Sequence, residues 1–210
     1  MNITRDQVIQ WLNVLAETLT QNSDYLTRLD SDIGDGDHGA NMKRGFQAVV
    51  TKLPTVADKD IGTIFKTVGM TLVSTVGGAS GPLYGTMFMQ LGTSTAGKME
   101  LTLADWTQAL EAGAGGIVMR GKAQPGDKTM VDALTPALAA IKQAGAEQKS
   151  LCEALKLCAE AAAKGRDETI PLVAHKGRAS YLGERSAGHQ DPGATSTHLM
   201  LQAAADVFCK

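Results

Sequence analysis

Thr4-Arg5-Asp6-Gln7-Val8-Ile9-Gln10-Trp11-Leu12-Asn13-Val14-Leu15-Ala16-Glu17-Thr18-Leu19 opens the chain and sets its fold class. Val8, Trp11, Leu12, Leu15 and Leu19 recur at three- and four-residue spacing and so share one helical face, while Thr4 and Gln7 match a capping box. The pattern predicts a helix from Arg5 to Gln21. The same reading repeats downstream. Ile61, Ile64, Phe65 and Val68 follow Asp58 and Asp60. Trp106, Leu110 and Ile117 follow Thr102, and Leu151, Leu155 and Cys158 follow Ser150 with Glu153 in capping-box register. Val131, Leu134, Leu138 and Ile141 predict another helix, kinked at Pro136, whose ring displaces a backbone hydrogen bond. Asn41 to Leu53 before Pro54, Leu83 to Thr95 after Pro82, and Gly193 to Phe208 behind Asp191 (N-cap) and Pro192 (N1) bring the count to about eight helices. No segment reads as a strand, so the expected class is all-α.

The composition agrees. With 210 residues, 43% hydrophobic and 20% charged, the chain fits one globular domain over residues 1–210, and no linker or fixed-period repeat divides it. Twenty basic against 22 acidic residues leave a net charge of −2, which gives no field for nucleic acid. Only 4% of residues are aromatic and 23 are Gly, which suits closely packed helices joined by Gly-rich loops. Cys152, Cys158 and Cys209 are odd in number and lack C-x-x-C spacing, which points to a reducing cytoplasm. Thr67 to Gly97 carries no charge and is long enough to cross a membrane. However, Thr, Ser, Gly, Gln and Pro82 interrupt it and the mean hydropathy of the chain is −0.08, so it is expected to lie buried within the protein. The N-terminus lacks the layout of a secretory signal.

Four pieces read as irregular: Asp24 to Gly39, Gly77 to Pro82, Gly121 to Asp127 and Thr169 to His189. All contain Gly, three of them together with Asp, His, Lys or Arg, and one shared anionic ligand would account for them. The sharpest is Asp30-Ser31-Asp32-Ile33-Gly34-Asp35-Gly36-Asp37-His38. Converging carboxylates about 5 Å apart repel by roughly 3 kcal/mol at an effective dielectric of about 20, so a cation is needed between them. An EF-hand fails in both registers, because Asp35 or Ala40 falls where that loop needs Gly. Oxygen ligands of this kind suit Mg²⁺ held with phosphate. Gly121-Lys122-Ala123-Gln124-Pro125-Gly126-Asp127-Lys128-Thr129 is close to a P-loop, but Asp127 stands where that motif requires Lys. In the last loop Arg178 suits a forked phosphate contact, while Lys176 and Arg185 read as a surface basic turn. Of the histidines, His38 is singled out because it adjoins the acidic cluster.

Together these segments resemble the nucleotide-binding L subunit of dihydroxyacetone kinase. The similarity is carried in order by Asp30 through Met42, Gly77 through Gly85, Arg120 through Met130, Lys176 through Arg185 and Gly188 through Thr195, covering nearly the whole chain. The resemblance implies an antiparallel barrel of eight helices whose loops at one end hold ADP or ATP with two Mg²⁺ ions. It implies that Asp30, Asp35 and Asp37 coordinate the metals, with no role for Asp32. Nucleotide contacts would come from His38, Gly39, Ala40, Asn41, Ala79 and Ser80. Gly121, Thr129, Met130, Arg178, Asp191, Pro192 and Gly193 would add to them, with Met130 against adenine and Arg178 as the catalytic residue.

The resemblance implies a separate domain that binds dihydroxyacetone through a histidine, which is expected on another chain, as in the bacterial phosphotransferase-system form. That form implies a tightly bound ADP, a phosphohistidine donor subunit and a K subunit that holds dihydroxyacetone. In some bacteria the L subunit is also implicated in control through a transcriptional regulator. The open alternatives are an L subunit of an erythrulose-type kinase using ATP directly, and a nucleotide-loaded regulatory module. An isoprenoid-type diphosphate enzyme lacks its D-D-x-x-D pattern here.

Overall fold

The computed structural model describes residues 2–210. Among these stand α1 (Arg5–Gln21), α2 (Ser23–Ile33), α3 (His38–Lys52), α4 (Ile61–Thr75), α5 (Ser80–Ser94), α6 (Leu103–Gly121), α7 (Met130–Ala146), α8 (Leu151–Glu168) and α9 (Pro192–Phe208). Their starts follow from local chemistry. Thr4 Oγ1 accepts from the Gln7 amide at 3.2 Å and Gln7 Oε1 accepts from the Thr4 amide at 3.0 Å, which satisfies N–H groups that the helix itself cannot. Thr102, Thr129 and Ser150 open α6, α7 and α8 in the same way, and single carboxylates of Asp60 and Asp191 cap α4 and α9.

From α3 to α9 each helix packs on the next, and α1 packs on both α9 and α3, so eight helices close a ring. The ninth, α2, lies on α3 and α9. Short connections make successive helices antiparallel, which brings the starts of α3, α5, α7 and α9 to one end of the barrel. Inside, Trp11 meets Phe65, Phe88, Trp106 and Phe208 with ring centroids 5.4–6.0 Å apart. Each such pair contributes about 0.5–1.5 kcal/mol beyond its buried area, so the few aromatics are concentrated where they stabilise most. The α4–α5 seam is tighter still. A Cβ at Gly69 would stand 2.7 Å from the Gly85 carbonyl oxygen and one at Gly85 2.9 Å from that of Gly69. Gly62 and Gly92 repeat the relation at 2.7 Å in both directions.

Several expectations change. Asp24 to Ile33 is helix α2 rather than loop: Ser23, Leu26 and Ile33 supply a sparse buried face that the surrounding carboxylates and hydroxyls obscure. Helix α3 begins at His38, not Asn41, because Asp30 caps it from outside. Helix α5 begins at Ser80, ahead of Pro82, which sits in the first turn where a missing N–H costs nothing. The loop after α8 contains 3₁₀ turns over Arg178–Ser186. Two short strands do exist, β1 (Ile3–Thr4) and β2 (Glu100–Leu101), paired antiparallel with buried Ile3 opposite buried Leu101. Helix α7 holds Pro136 within its length, as expected. The uncharged stretch Thr67 to Gly97 is buried on one face only, since Met70 and Val73 are 59% and 45% exposed. Among the described residues no helix is long and apolar enough to cross a membrane.

Candidate functional site

A cavity of about 400 Å³ opens at the end of the barrel where four helices start. Asp37 and His38 of α3, Ala79 and Ser80 of α5, Thr129 and Met130 of α7, and Asp191, Pro192 and Gly193 of α9 all line it. Four helix N-termini therefore aim partial positive charge at one space, an arrangement that favours phosphate. The start of α5 has no side-chain cap, which leaves its amides for a ligand.

Opposite charge comes from α2 and the loop after it. Asp30, Asp35 and Asp37 each offer an oxygen, and these oxygens lie within 4.8 Å of one another. One oxygen of Asp30 already accepts from the amides of Asp37 at 2.8 Å and His38 at 3.1 Å, closing the loop and capping α3. Asp35 pairs with Arg178 at 3.0 Å, so the guanidinium reaches the carboxylate group from the far loop. This donor set of hard carboxylate oxygens beside a phosphate-favouring cavity fits Mg²⁺. Asp32 stands apart from the trio, its Oδ2 3.5 Å from His189 Nδ1.

His38 is buried and its ring joins three helices. Nδ1 lies 3.1 Å from Ser80 Oγ on α5 and Nε2 lies 2.9 Å from Ser196 Oγ on α9. Tyr84 extends the chain, its hydroxyl 2.8 Å from Ser196 Oγ and 3.0 Å from Thr197 Oγ1. Burial lowers the His38 pKa against the pull of Asp30 and Asp37, which keeps the ring neutral with one nitrogen donating and one accepting. Asp191 is buried too, and its carboxylate accepts from the Ala194 amide at 2.6 Å. Desolvation pushes its pKa up to about 7 despite that bond and the nearby Lys128.

Of the residues expected from sequence, Gly121 and Arg178 also line the cavity. Gly39, Ala40 and Asn41 do not. Gly39 faces backwards, where any Cβ would run into the Ser23 carbonyl of α2. Asn41 is buried beside Gly77, and its side-chain oxygen accepts from Arg44. Residues without an assigned role are brought in as well, among them Tyr84, Arg120 and Lys128, and Lys176, expected in a surface turn, also lines the cavity. Lys128 lies in the near-P-loop segment, and that overlap is its only sequence signal.

Comparison with known proteins agrees with this geometry. The family model described as DAK2 domain matches residues 32–206. The chain is 50% identical, over 98% of both chains, to the protein of Escherichia coli (strain K12) named PEP-dependent dihydroxyacetone kinase, ADP-binding subunit DhaL. It is 41% identical, over 98% of both, to the PTS-dependent counterpart of Lactococcus lactis. Among solved structures, the dihydroxyacetone kinase of C. freundii in complex with AMP-PNP and Mg²⁺ superposes with a TM-score of 0.71 at 26% identity, covering 95% of this chain and 33% of that one. The chain thus spans about one third of that kinase's length. With a barrel end of four converging helix starts and a matching family model over most of its length, this chain belongs to the DAK2 domain family.

Proposed function

We propose that this chain is the ADP-binding subunit of a phosphoenolpyruvate-dependent dihydroxyacetone kinase, a cytoplasmic phosphotransferase working as one nucleotide-binding domain. The observation that carries the reading is the juxtaposition of Asp30, Asp35 and Asp37 with four helix N-termini around one nucleotide-sized cavity. Bound there, ADP with two Mg²⁺ ions supplies the relay of a phosphoryl group from a phosphohistidine donor subunit to dihydroxyacetone held by a K-type subunit.

The residues of this chain bind and position. Asp30, Asp35 and Asp37 would hold the metal, and the free amides at the start of α5 with Ser80 would take phosphate oxygens. Met130 offers a soft apolar surface for the base. Arg178 would neutralise charge on a transferring phosphoryl group. Phosphoryl transfer asks mainly for positioning and charge neutralisation, so no protein nucleophile is needed. The 50% identity to the E. coli subunit, over full length, supports the phosphoenolpyruvate-dependent form over an erythrulose kinase. Similarity to L-erythrulose kinase of Pectobacterium atrosepticum is lower, at 33% over 34% of that protein.

The test is native mass spectrometry of the purified protein, followed by denaturation to release and identify what it carries. ADP that survives dialysis, leaving together with two Mg²⁺, is expected. Rapid exchange with free ATP would instead indicate a conventional kinase. A protein that takes up neither nucleotide nor Mg²⁺ would overturn the reading.

A further inference from the structure

Residues 169–191 leave α8, run out past Arg178 and return to α9, and the two ends of this loop meet at a neck. The Gly188 amide donates to the Ile170 carbonyl at 2.8 Å, and the Asp191 amide donates to Thr169 Oγ1 at 3.0 Å. The side chain of Lys128 enters that neck from the α6–α7 connection. It is 1% exposed, and among the described residues no other Lys or Arg is buried. Its Nζ donates to the carbonyls of Thr169 at 2.7 Å and Leu172 at 3.0 Å on the outgoing arm, and to that of His189 on the returning arm. The Ile170 carbonyl stands 3.3 Å away.

An ammonium has three hydrogens, so four carbonyls exhaust it and leave nothing to donate to a ligand. The position is also costly. Lys128 adopts φ +61°, the left-handed region, at about 1 kcal/mol for a residue with a Cβ. Burial lowers its pKa, while Asp191 and Asp132 favour its charge. A second stitch lies next to it, where the His175 amide of the loop donates to the Asp127 carbonyl at 3.1 Å.

We propose that Lys128 is a positioning residue of the nucleotide site: its ammonium locks both arms of the 169–191 loop, so that Arg178 reaches Asp35 and α9 starts at the cavity wall. The inference rests on the nucleotide-site reading above. It assigns to Lys128 an effect on binding exerted wholly through backbone carbonyls, without contact to the nucleotide.

Lys128→Met keeps length and removes every donor. Affinity for ADP with Mg²⁺ is measured by calorimetric titration, and backbone order by hydrogen exchange. In this variant ADP with Mg²⁺ is expected to bind about 10- to 100-fold more weakly, the scale on which loss of a group supporting a metal site's ligands acts. Amides of residues 173–190 should exchange faster while those of α4 and α5 stay unchanged. Lys128→Arg, which returns a cation and donors to the neck, should recover affinity to within about threefold of wild type. Wild-type-like binding by Lys128→Met, or weakened binding with loop exchange unchanged, overturns the role of Lys128 alone. Should Lys128→Met not fold, Lys128→Arg decides with the same pair of readings: a faster-exchanging loop with full ADP affinity overturns the proposal, and a protected loop with retained affinity supports it. Wild-type protein that takes up no ADP with Mg²⁺ overturns the site reading, and this inference falls with it.

Discussion

Asp37→Asn is expected to raise the melting temperature of the metal-free protein slightly and to remove most of the stabilisation brought by Mg²⁺, two effects of opposite sign. The carboxylate oxygens of Asp30, Asp35 and Asp37 lie within 4.8 Å of one another. At such a separation two unit charges repel by about 0.9 kcal/mol in water-like surroundings and by about 3.5 kcal/mol at an effective dielectric of about 20. The Asp30 carboxylate is buried, but those of Asp35 and Asp37, the latter being the substituted group, face solvent, so the smaller figure governs. Physiological salt roughly halves it. The substitution removes two of the three repulsive pairs, a gain of about 1 kcal/mol, and loses about 0.5 kcal/mol of attraction to the start of α3. The Asp37 side chain makes no cap hydrogen bond to α3, so nothing further is lost. The net of about 0.5 kcal/mol corresponds to a rise of about 1–2 °C for a chain of this size. Against it, Mg²⁺ at about 100 times its Kd stabilises wild type by about 2.7 kcal/mol, or about 5–10 °C. Scanning calorimetry with and without Mg²⁺, at low and high salt, reads both effects. A metal-free variant that melts below wild type at low salt, or one that keeps the full Mg²⁺ shift, would refute the assignment of this cluster as a cation site.

The Arg178 side chain is 65% exposed and pairs with Asp35, so Arg178→Ala should leave the melting temperature within about 1 °C while lowering turnover in the reconstituted three-subunit assay by about 10³-fold or more. Near-normal turnover would remove Arg178 from the mechanism. Asp191 has its pKa raised from an ordinary 3.8 to about 7 by burial, so between those pH values the folded state holds more protons than the unfolded state and stability falls as pH rises. Asp191→Asn keeps the cap and removes that slope, so urea midpoints at pH 5 and pH 8 should differ less in the variant than in wild type; parallel pH profiles would contradict this.

What could be read from the chain beforehand follows the range of the interactions involved. Helices α1 and α9 were legible to the residue because their caps, Thr4 with Gln7 and Asp191 with Pro192, act within three positions. Helix α2 was not, since its polar residues serve the site and leave only a thin apolar face. The acidic cluster announced itself through like charges that need a partner. Its second function, Asp30 holding the start of α3 seven and eight residues on, obeys no spacing rule. The contacts of Lys128 were unreadable for a related reason: its acceptors are main-chain carbonyls 41 to 61 positions away, and carbonyls have no letter in a sequence. Likewise the chain from Ser80 through His38 and Ser196 to Tyr84 exists only after α3, α5 and α9 have met. The Gly62/Gly69 and Gly85/Gly92 intervals, two spacings of equal length on consecutive helices, meet across the α4–α5 seam without having been read as a contact from the sequence.

Those paired glycines also decide which side of the cavity can yield. Helix α4 ends and α5 begins at the turn carrying Ala79 and Ser80, and the main chains of the two helices already touch at two levels of the seam. Sliding or rolling either rod would drive a carbonyl into its neighbour's Cα, so the pair moves as a rigid plate. Accommodation of a guest must then come from across the opening, where an excursion of more than twenty residues is tethered at the Lys128 neck, the His175–Asp127 stitch and the Arg178–Asp35 pair. The binding end is thus a vice with one stationary jaw and one compliant jaw, and differences between guests should be registered in the second.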